Sequence, residues 1–187
     1  MKDVVTVLYL FGFERIGVAV SDIYFIDPNP LAGQEGAERG VRLEVRMLEP
    51  GELKGSIYSA RPITVDRPIW RVDLLESVSG APGSFDRTHH HPAVRGWEPG
   101  RRVFDEQLSK EPLKWLGERL ADLEGVLDQA GVAHDEVSPA DVAGLRERTP
   151  EILETVGRLL DGVHAGALGV SPEAGAGSAT SIRASWL

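Results

Sequence analysis

The sequence predicts an α+β fold, in which an N-terminal antiparallel sheet is covered by C-terminal helices. Two patterns predict this class: apolar residues recur at every second position in the first half of the chain, and at every third or fourth position after about residue 104. Strands that precede the helices, instead of alternating with them, are typical of an antiparallel sheet with helices on one face. A sheet curled into a small barrel, with the helices outside it, is the alternative.

The length of the chain, 187 residues, is the usual size of a single domain. We expect one α+β domain over residues 1–166. The last segment, 167–187, is rich in Gly, Ala and Ser and carries almost no charge. We therefore expect a flexible tail there.

The period-two pattern predicts strands over residues 4–13, 17–26, 41–47 and 69–75. In the third of these, four apolar residues alternate with charged ones, so that one side should face the core and the other side water. The turn residues that follow predict that residues 53–60 run back as its antiparallel partner.

The helical pattern is clearest in residues 112–130, where leucines recur at steps of three or four and Gly131 suits the helix end. Ser138-Pro139 and Thr149-Pro150 each place a capping hydroxyl directly before a proline, which is typical of a helix start. We expect two further helices there, near residues 139–148 and 150–164.

The composition excludes several classes of function. Without cysteine there can be no disulfide, thiolate metal site or cysteine nucleophile, so any metal must use histidine, carboxylate or carbonyl ligands. The chain carries 20 basic and 29 acidic side chains, a net charge of −9, so we do not expect nucleic acid as a partner. No stretch approaches the roughly 20 apolar residues that cross a bilayer. We therefore expect a cytoplasmic protein with no membrane partner.

Three of the five histidines are consecutive, at His89, His90 and His91. If this segment is extended, His89 and His91 share one face with Arg87, and His90 lies on the other face with Asp86. Two imidazoles at this spacing can bind one divalent metal ion, whereas Asp86 can orient His90 as a structural pair. A third metal ligand is required. We expect Glu98 in that role, and the alternatives are Asp86, Asp105 and His134.

The same segment resembles the beginning of the first cupin motif, in which Pro-Gly, five residues and His-x-His are followed by a glutamate. Pro82-Gly83 and His89-x-His91 match this pattern. The glutamate is not matched, because its expected position falls near Gly96 and the nearest acid is Glu98. The second cupin motif is also missing, since the chain beyond residue 110 is predicted to be helical. The resemblance therefore supports the ligand geometry and no family assignment.

Two hypotheses of function follow. In the first, the chain is a small enzyme that acts on an anionic small molecule through the histidine cluster, which works either with one divalent metal ion or as a metal-free acid/base pair. In the second, it is a non-catalytic binding protein with acidic helices and structural histidines. For the enzyme, the expected catalytic residues are His89, His91 and Arg87, and the expected substrate-binding residues are Arg95, Trp97 and Arg101.

Overall fold

The structure is a computed structural model that describes residues 7–173 of the chain. Five antiparallel strands form one sheet, in chain order. The first and last strands are the two edges of the sheet and do not pair with each other. The sheet is therefore open, and the barrel alternative is wrong. The strands are β1 (Leu8–Gly12), β2 (Ile16–Ile26), β3 (Ala37–Pro50), β4 (Ile63–Ser77) and β5 (His89–His91), and a separate two-stranded ribbon follows with β6 (Val94–Arg95) and β7 (Glu98–Pro99).

The helices follow the strands, which confirms the predicted α+β class. They are α1 (Glu106–Lys110), α2 (Pro112–Ala121), α3 (Leu123–Ala130) and α4 (Pro139–His164), with a 3₁₀ turn at His134–Glu136 before the last one. Within residues 7–173, none of these helices combines the length and the apolar character that a membrane crossing requires.

The sheet has two different faces because successive side chains of a strand point in opposite directions. On one face, buried side chains such as Val41, Val72 and Leu74 pack in a single core with those of the helices. Trp70 lies on this helix-covered face and stacks on Trp115 of α2, with ring centroids 6.1 Å apart. Polar residues at the alternate positions face away from the helices, and we call this second side the cavity face.

The partner of β3 is a correction to the prediction. Residues 51–62 form a connecting loop, and the strand that returns along β3 begins at Ile63. The segment 53–60 contains Gly55, and its large side chains Ile57 and Tyr58 are 81% and 90% exposed. It therefore has no apolar side to bury, whereas the predicted strand 69–75 does and extends to form β4.

The helix boundaries also differ from the prediction. The predicted helix 112–130 is broken at Asp122, whose side chain accepts the Gly125 N–H and starts α3. In contrast, the two helices predicted around Pro150 are one continuous helix. The Thr149 hydroxyl donates to the Leu145 carbonyl instead of capping a new helix. Buried side chains line the same face before and after the proline, and this burial offsets the hydrogen bond that proline cannot make.

Two fully buried carboxylates join distant parts of the chain. Asp141, at the start of α4, accepts backbone N–H groups from the turn between β1 and β2. Asp22 of β2 accepts the N–H of Val7 and that of Gly169. Residues near Gly169, at the beginning of the predicted tail, therefore pack on the sheet. The rest of that prediction, residues 174–187, lies outside the described residues.

Candidate metal centre

The pairing of β4 with β5 brings a carboxylate to the two alternate histidines. Asp73 is opposite His89 in the register, and Arg71 is opposite His91. Because these positions share a parity, their side chains emerge together on the cavity face. The predicted shared face of His89 and His91 is thus what the structure has, and Asp73 lies between the two imidazoles.

The three side chains converge on one point. The Nε2 atoms of His89 and His91 lie 3.5 and 3.6 Å from the same oxygen, Oδ2 of Asp73. One ligand atom from each residue lies within 4.8 Å of the others, and all three residues are buried. These separations are too long for good hydrogen bonds. They are close to the roughly 3.4 Å between ligand atoms of a tetrahedral zinc site with bonds of about 2.0–2.2 Å.

Backbone carbonyls orient both imidazoles. Nδ1 of His89 lies 2.8 Å from the Arg87 carbonyl oxygen, and Nδ1 of His91 lies 2.8 Å from that of Gly100. A carbonyl only accepts, so each Nδ1 carries the hydrogen and donates it. A neutral imidazole then has its lone pair on Nε2, which is the atom that faces Asp73. This is the outer-sphere arrangement that fixes the tautomer of metal-binding histidines.

Arg42 keeps the carboxylate of Asp73 ionised. Its Nε donates to Oδ1 at 2.7 Å, and a second guanidinium nitrogen lies 3.3 Å from Oδ2. Burial alone would raise the pKa of Asp73, but the Arg42 charge and the contacts with both imidazoles hold that pKa well below its usual range. The site therefore contains an ionised carboxylate in a buried position, which is a suitable ligand for a cation.

A cavity of about 590 Å³ opens next to these three residues. Its charged lining is balanced, because three arginines and three carboxylates face it. Apart from Asp73 and the two histidines, it is lined by Phe25, Ile26, Asp27, Pro28, Arg42, Arg71, Glu98, Pro99, Gly100 and Arg102.

His90 lies on the opposite face of the sheet, as the alternation predicts, and packs against both Trp70 and Trp115. Burial, with a smaller effect from Arg119, lowers the pKa of His90 to about 4. The expected pair with Asp86 does not form. Asp86 precedes the strand and instead accepts hydrogen bonds from the residues of a turn, including the Ser77 N–H.

The other predicted metal ligand, Glu98, and the other predicted catalytic residue, Arg87, are not part of the converging group. Glu98 lines the cavity but is outside the group of three converging ligands. Arg87 is buried, and its guanidinium donates to the carbonyls of Gly33 and Glu35. Arg87 therefore holds the β2–β3 loop, and it is not among the residues that line the cavity.

The predicted substrate-binding residues lie elsewhere on the surface. Arg95 and Arg101 line a separate pocket beside Gln129. Trp97 is 63% exposed, and the Arg46 guanidinium lies 5.6 Å from the centre of its ring. The structure thus places none of these three residues in the cavity that the histidines line.

Several residues of the cavity, above all Asp73, are not predicted from the sequence. Arg42 and Asp73 occupy polar positions of the predicted alternating strands, which indicated a water-exposed side and not a site. Glu38, on the same face of β3, is 1% exposed, and its carboxylate oxygens have no hydrogen-bond partner among the described residues. Burial raises the pKa of Glu38, and the charge of Arg102 opposes this.

Comparison with known proteins does not identify a relative. No family model matches the chain, and searches of curated proteins and of solved structures produce no match. The interpretation of the centre therefore depends on its geometry and chemistry.

Proposed function

We propose that the chain is a metal-dependent enzyme that acts on an anionic small molecule, with Asp73, His89 and His91 as the ligands of one divalent ion. The main support is the direction of the imidazole lone pairs. With both Nδ1 hydrogens donated to carbonyls, both Nε2 atoms face one carboxylate oxygen. Three lone pairs that meet in a buried space repel each other, and a cation between them removes the repulsion.

The open side of the centre favours a catalytic role over a structural one. Structural zinc sites are closed by four protein ligands, whereas catalytic sites have three and leave a position for water or substrate. Here three protein ligands converge, and a cavity lies on their other side. A bound ion would supply a Lewis acid at the cavity wall. Two histidines and one carboxylate suit zinc-dependent hydrolysis and iron-dependent oxygen chemistry, and the identity of the ion separates the two.

The charge of the cavity supports an anionic substrate. Because its three arginines are balanced by three carboxylates, a divalent ion would make the lining net positive. Guanidinium groups bind carboxylates and phosphates through paired hydrogen bonds. A small anion would therefore be attracted to the ion and to an arginine at the same time.

The first experiment is a metal analysis of protein prepared without a histidine tag, by mass spectrometry of the dialysed chain after incubation with Zn²⁺, Fe²⁺ or Mn²⁺. We expect one equivalent of ion in the wild type. His89→Ala and His91→Ala should each lower the affinity by at least about tenfold, because each removes a ligand atom. His134→Ala is the matched control, since that imidazole is half exposed and pairs with Asp128.

Wild-type protein that binds no ion, or His134→Ala that loses as much ion as His89→Ala, would contradict the proposal. In the first case the metal-free acid/base hypothesis would replace the metal-dependent one, and the Nε2 atoms that face Asp73 would have to carry hydrogens. Circular dichroism of each variant separates loss of a ligand from loss of the fold.

A further inference from the structure

The three arginines of the cavity are held in different ways. Arg42 is bound to Asp73 across neighbouring strands, and Arg71 donates to Glu44 through Nε and a terminal nitrogen at 2.8 and 2.7 Å. Both of these arginines therefore have partners within the sheet itself. Their guanidinium groups are fixed by regular strand pairing and stay where the sheet places them.

Arg102 is held by a loop instead. One terminal nitrogen lies 3.0 Å from Oδ2 of Asp27, and the other lies 3.3 Å from Oε1 of Gln34. Both partners belong to residues 27–36, which connect β2 and β3. Asp27 and Arg102 both line the cavity that contains the metal centre, and their side chains are 19% and 24% exposed. A solute in the cavity can therefore reach this pair.

The carboxylate of Asp27 occupies the position that an anionic ligand would take on Arg102. A guanidinium group prefers to bind two oxygens of one anion through two parallel hydrogen bonds. Arg102 does not have this arrangement, because one terminal nitrogen contacts a single oxygen of Asp27 at 3.0 Å and the other contacts the neutral amide of Gln34. A ligand that binds Arg102 through two oxygens would replace one charged and one neutral partner with two charged contacts.

We propose that Arg102 is the residue that recognises the anionic group of the ligand, and that it does so by exchanging Asp27 for that group. The inference rests on the proposed function, and it names the residue that determines specificity in the same cavity. The ligand class is a small oxyanion, a carboxylate or a phosphate, that bridges the ion and Arg102. Release of Asp27 and Gln34 would also free two attachments of the loop 27–36, so ligand binding and loop position are coupled.

The test uses inorganic phosphate as the probe, titrated by calorimetry into protein loaded with one equivalent of Zn²⁺. Arg102→Gln should weaken phosphate binding by about 10–100-fold, since it removes a charge-assisted contact. Asp27→Asn should tighten binding by about three- to tenfold, because it removes the competing carboxylate. Arg148→Gln is the matched control, since that arginine is exposed and pairs with Glu151 away from the cavity; it should leave binding unchanged.

The opposite signs of the two effects make the test specific. Both variants break the same ion pair, so a merely structural role for Arg102 and Asp27 would loosen the loop in both and shift phosphate affinity in the same direction. Shifts of the same sign, or no shift in either variant, would overturn the proposal. Wild-type protein that binds no phosphate would overturn it as well.

Repeating the titrations on metal-free protein distinguishes this inference from the proposed function. Binding should be weaker there, but the order of the three variants should be the same. If the wild type takes up none of Zn²⁺, Fe²⁺ and Mn²⁺, the proposed function fails, and the metal-free series alone decides the role of Arg102 by the same criterion.

Discussion

The buried carboxylate of Asp141 should be one of the largest single contributors to stability. It is completely inaccessible to solvent. Oδ1 accepts the backbone N–H groups of Glu14 and Arg15 at 2.9 Å and that of Ile16 at 3.3 Å. Oδ2 accepts the N–H of Ser138 at 2.8 Å, while the Ser138 hydroxyl donates its hydrogen to Oε2 of Glu14 at 2.6 Å. The side chain thus attaches the start of α4 to the turn between β1 and β2.

Substituting Asp141 by Ala leaves four backbone N–H groups without this acceptor. A net contribution of about 1 kcal/mol for each hydrogen bond, reduced by the water that can reach the exposed donors, predicts a loss of about 2–4 kcal/mol in the free energy of unfolding. This corresponds to a fall of about 10 °C in the melting temperature for a domain of this size. The metal centre is on the other face of the sheet, so the variant should bind metal as the wild type does wherever it is folded.

Urea denaturation followed by far-ultraviolet circular dichroism measures this free energy directly. Asp161→Ala, an exposed position on the same helix, is the control and should change stability by less than about 0.5 kcal/mol. A loss below about 1 kcal/mol in Asp141→Ala would contradict this prediction, because it would mean that the four N–H groups find other partners without difficulty.

Two further predictions concern buried titratable groups. Glu38→Gln should stabilise the protein at pH 7.5, because a neutral amide avoids the cost of burying a charge. Burial raises the pKa of Glu38, so ionisation opposes folding as the pH rises through that pKa, and urea titrations should show no gain at pH 4. The opposite sign holds for His90, whose burial lowers its pKa to about 4. As the pH falls, the unfolded chain binds a proton at His90 before the folded protein does. Between pH 6.5 and 4 the free energy of unfolding of the wild type should therefore fall by up to about 3 kcal/mol more than that of His90→Phe. Parallel pH profiles of the two proteins would contradict this.

The parts of the fold that could be predicted are those with local signals. The alternation in 41–47 and 69–75 is a property of neighbouring residues, and both segments are strands. Strand pairing depends on residues that are far apart in the chain. The turn at 49–52 therefore predicts the wrong partner for β3, because the strand that pairs with β3 begins at Ile63. The continuity of α4 across Pro150 also depends on distant contacts, because burial against the sheet and α2 outweighs the local stop signal.

Only the local part of the candidate site, the two histidines, could be predicted from the sequence. Placing His89 and His91 on one face required only the period of a strand. The third converging residue, Asp73, comes from a neighbouring strand, and its position is defined by the β4–β5 register. No spacing in the sequence specifies the third ligand, and Glu98, the residue expected in that role, lies nearby in the chain and reaches the cavity but is outside the group of converging ligands. The same limitation applies to Asp27, which approaches Arg102 through a loop.

Anomalous diffraction from crystals of metal-loaded protein would locate the bound ion. With data collected at the absorption edge of the bound ion, we predict a single strong peak at the cavity wall. It should lie about 2.0–2.2 Å from Nε2 of His89, Nε2 of His91 and an oxygen of Asp73. A peak at another position, such as the exposed pair of His134 and Asp128, or no peak in protein that binds one equivalent of ion, would contradict the account.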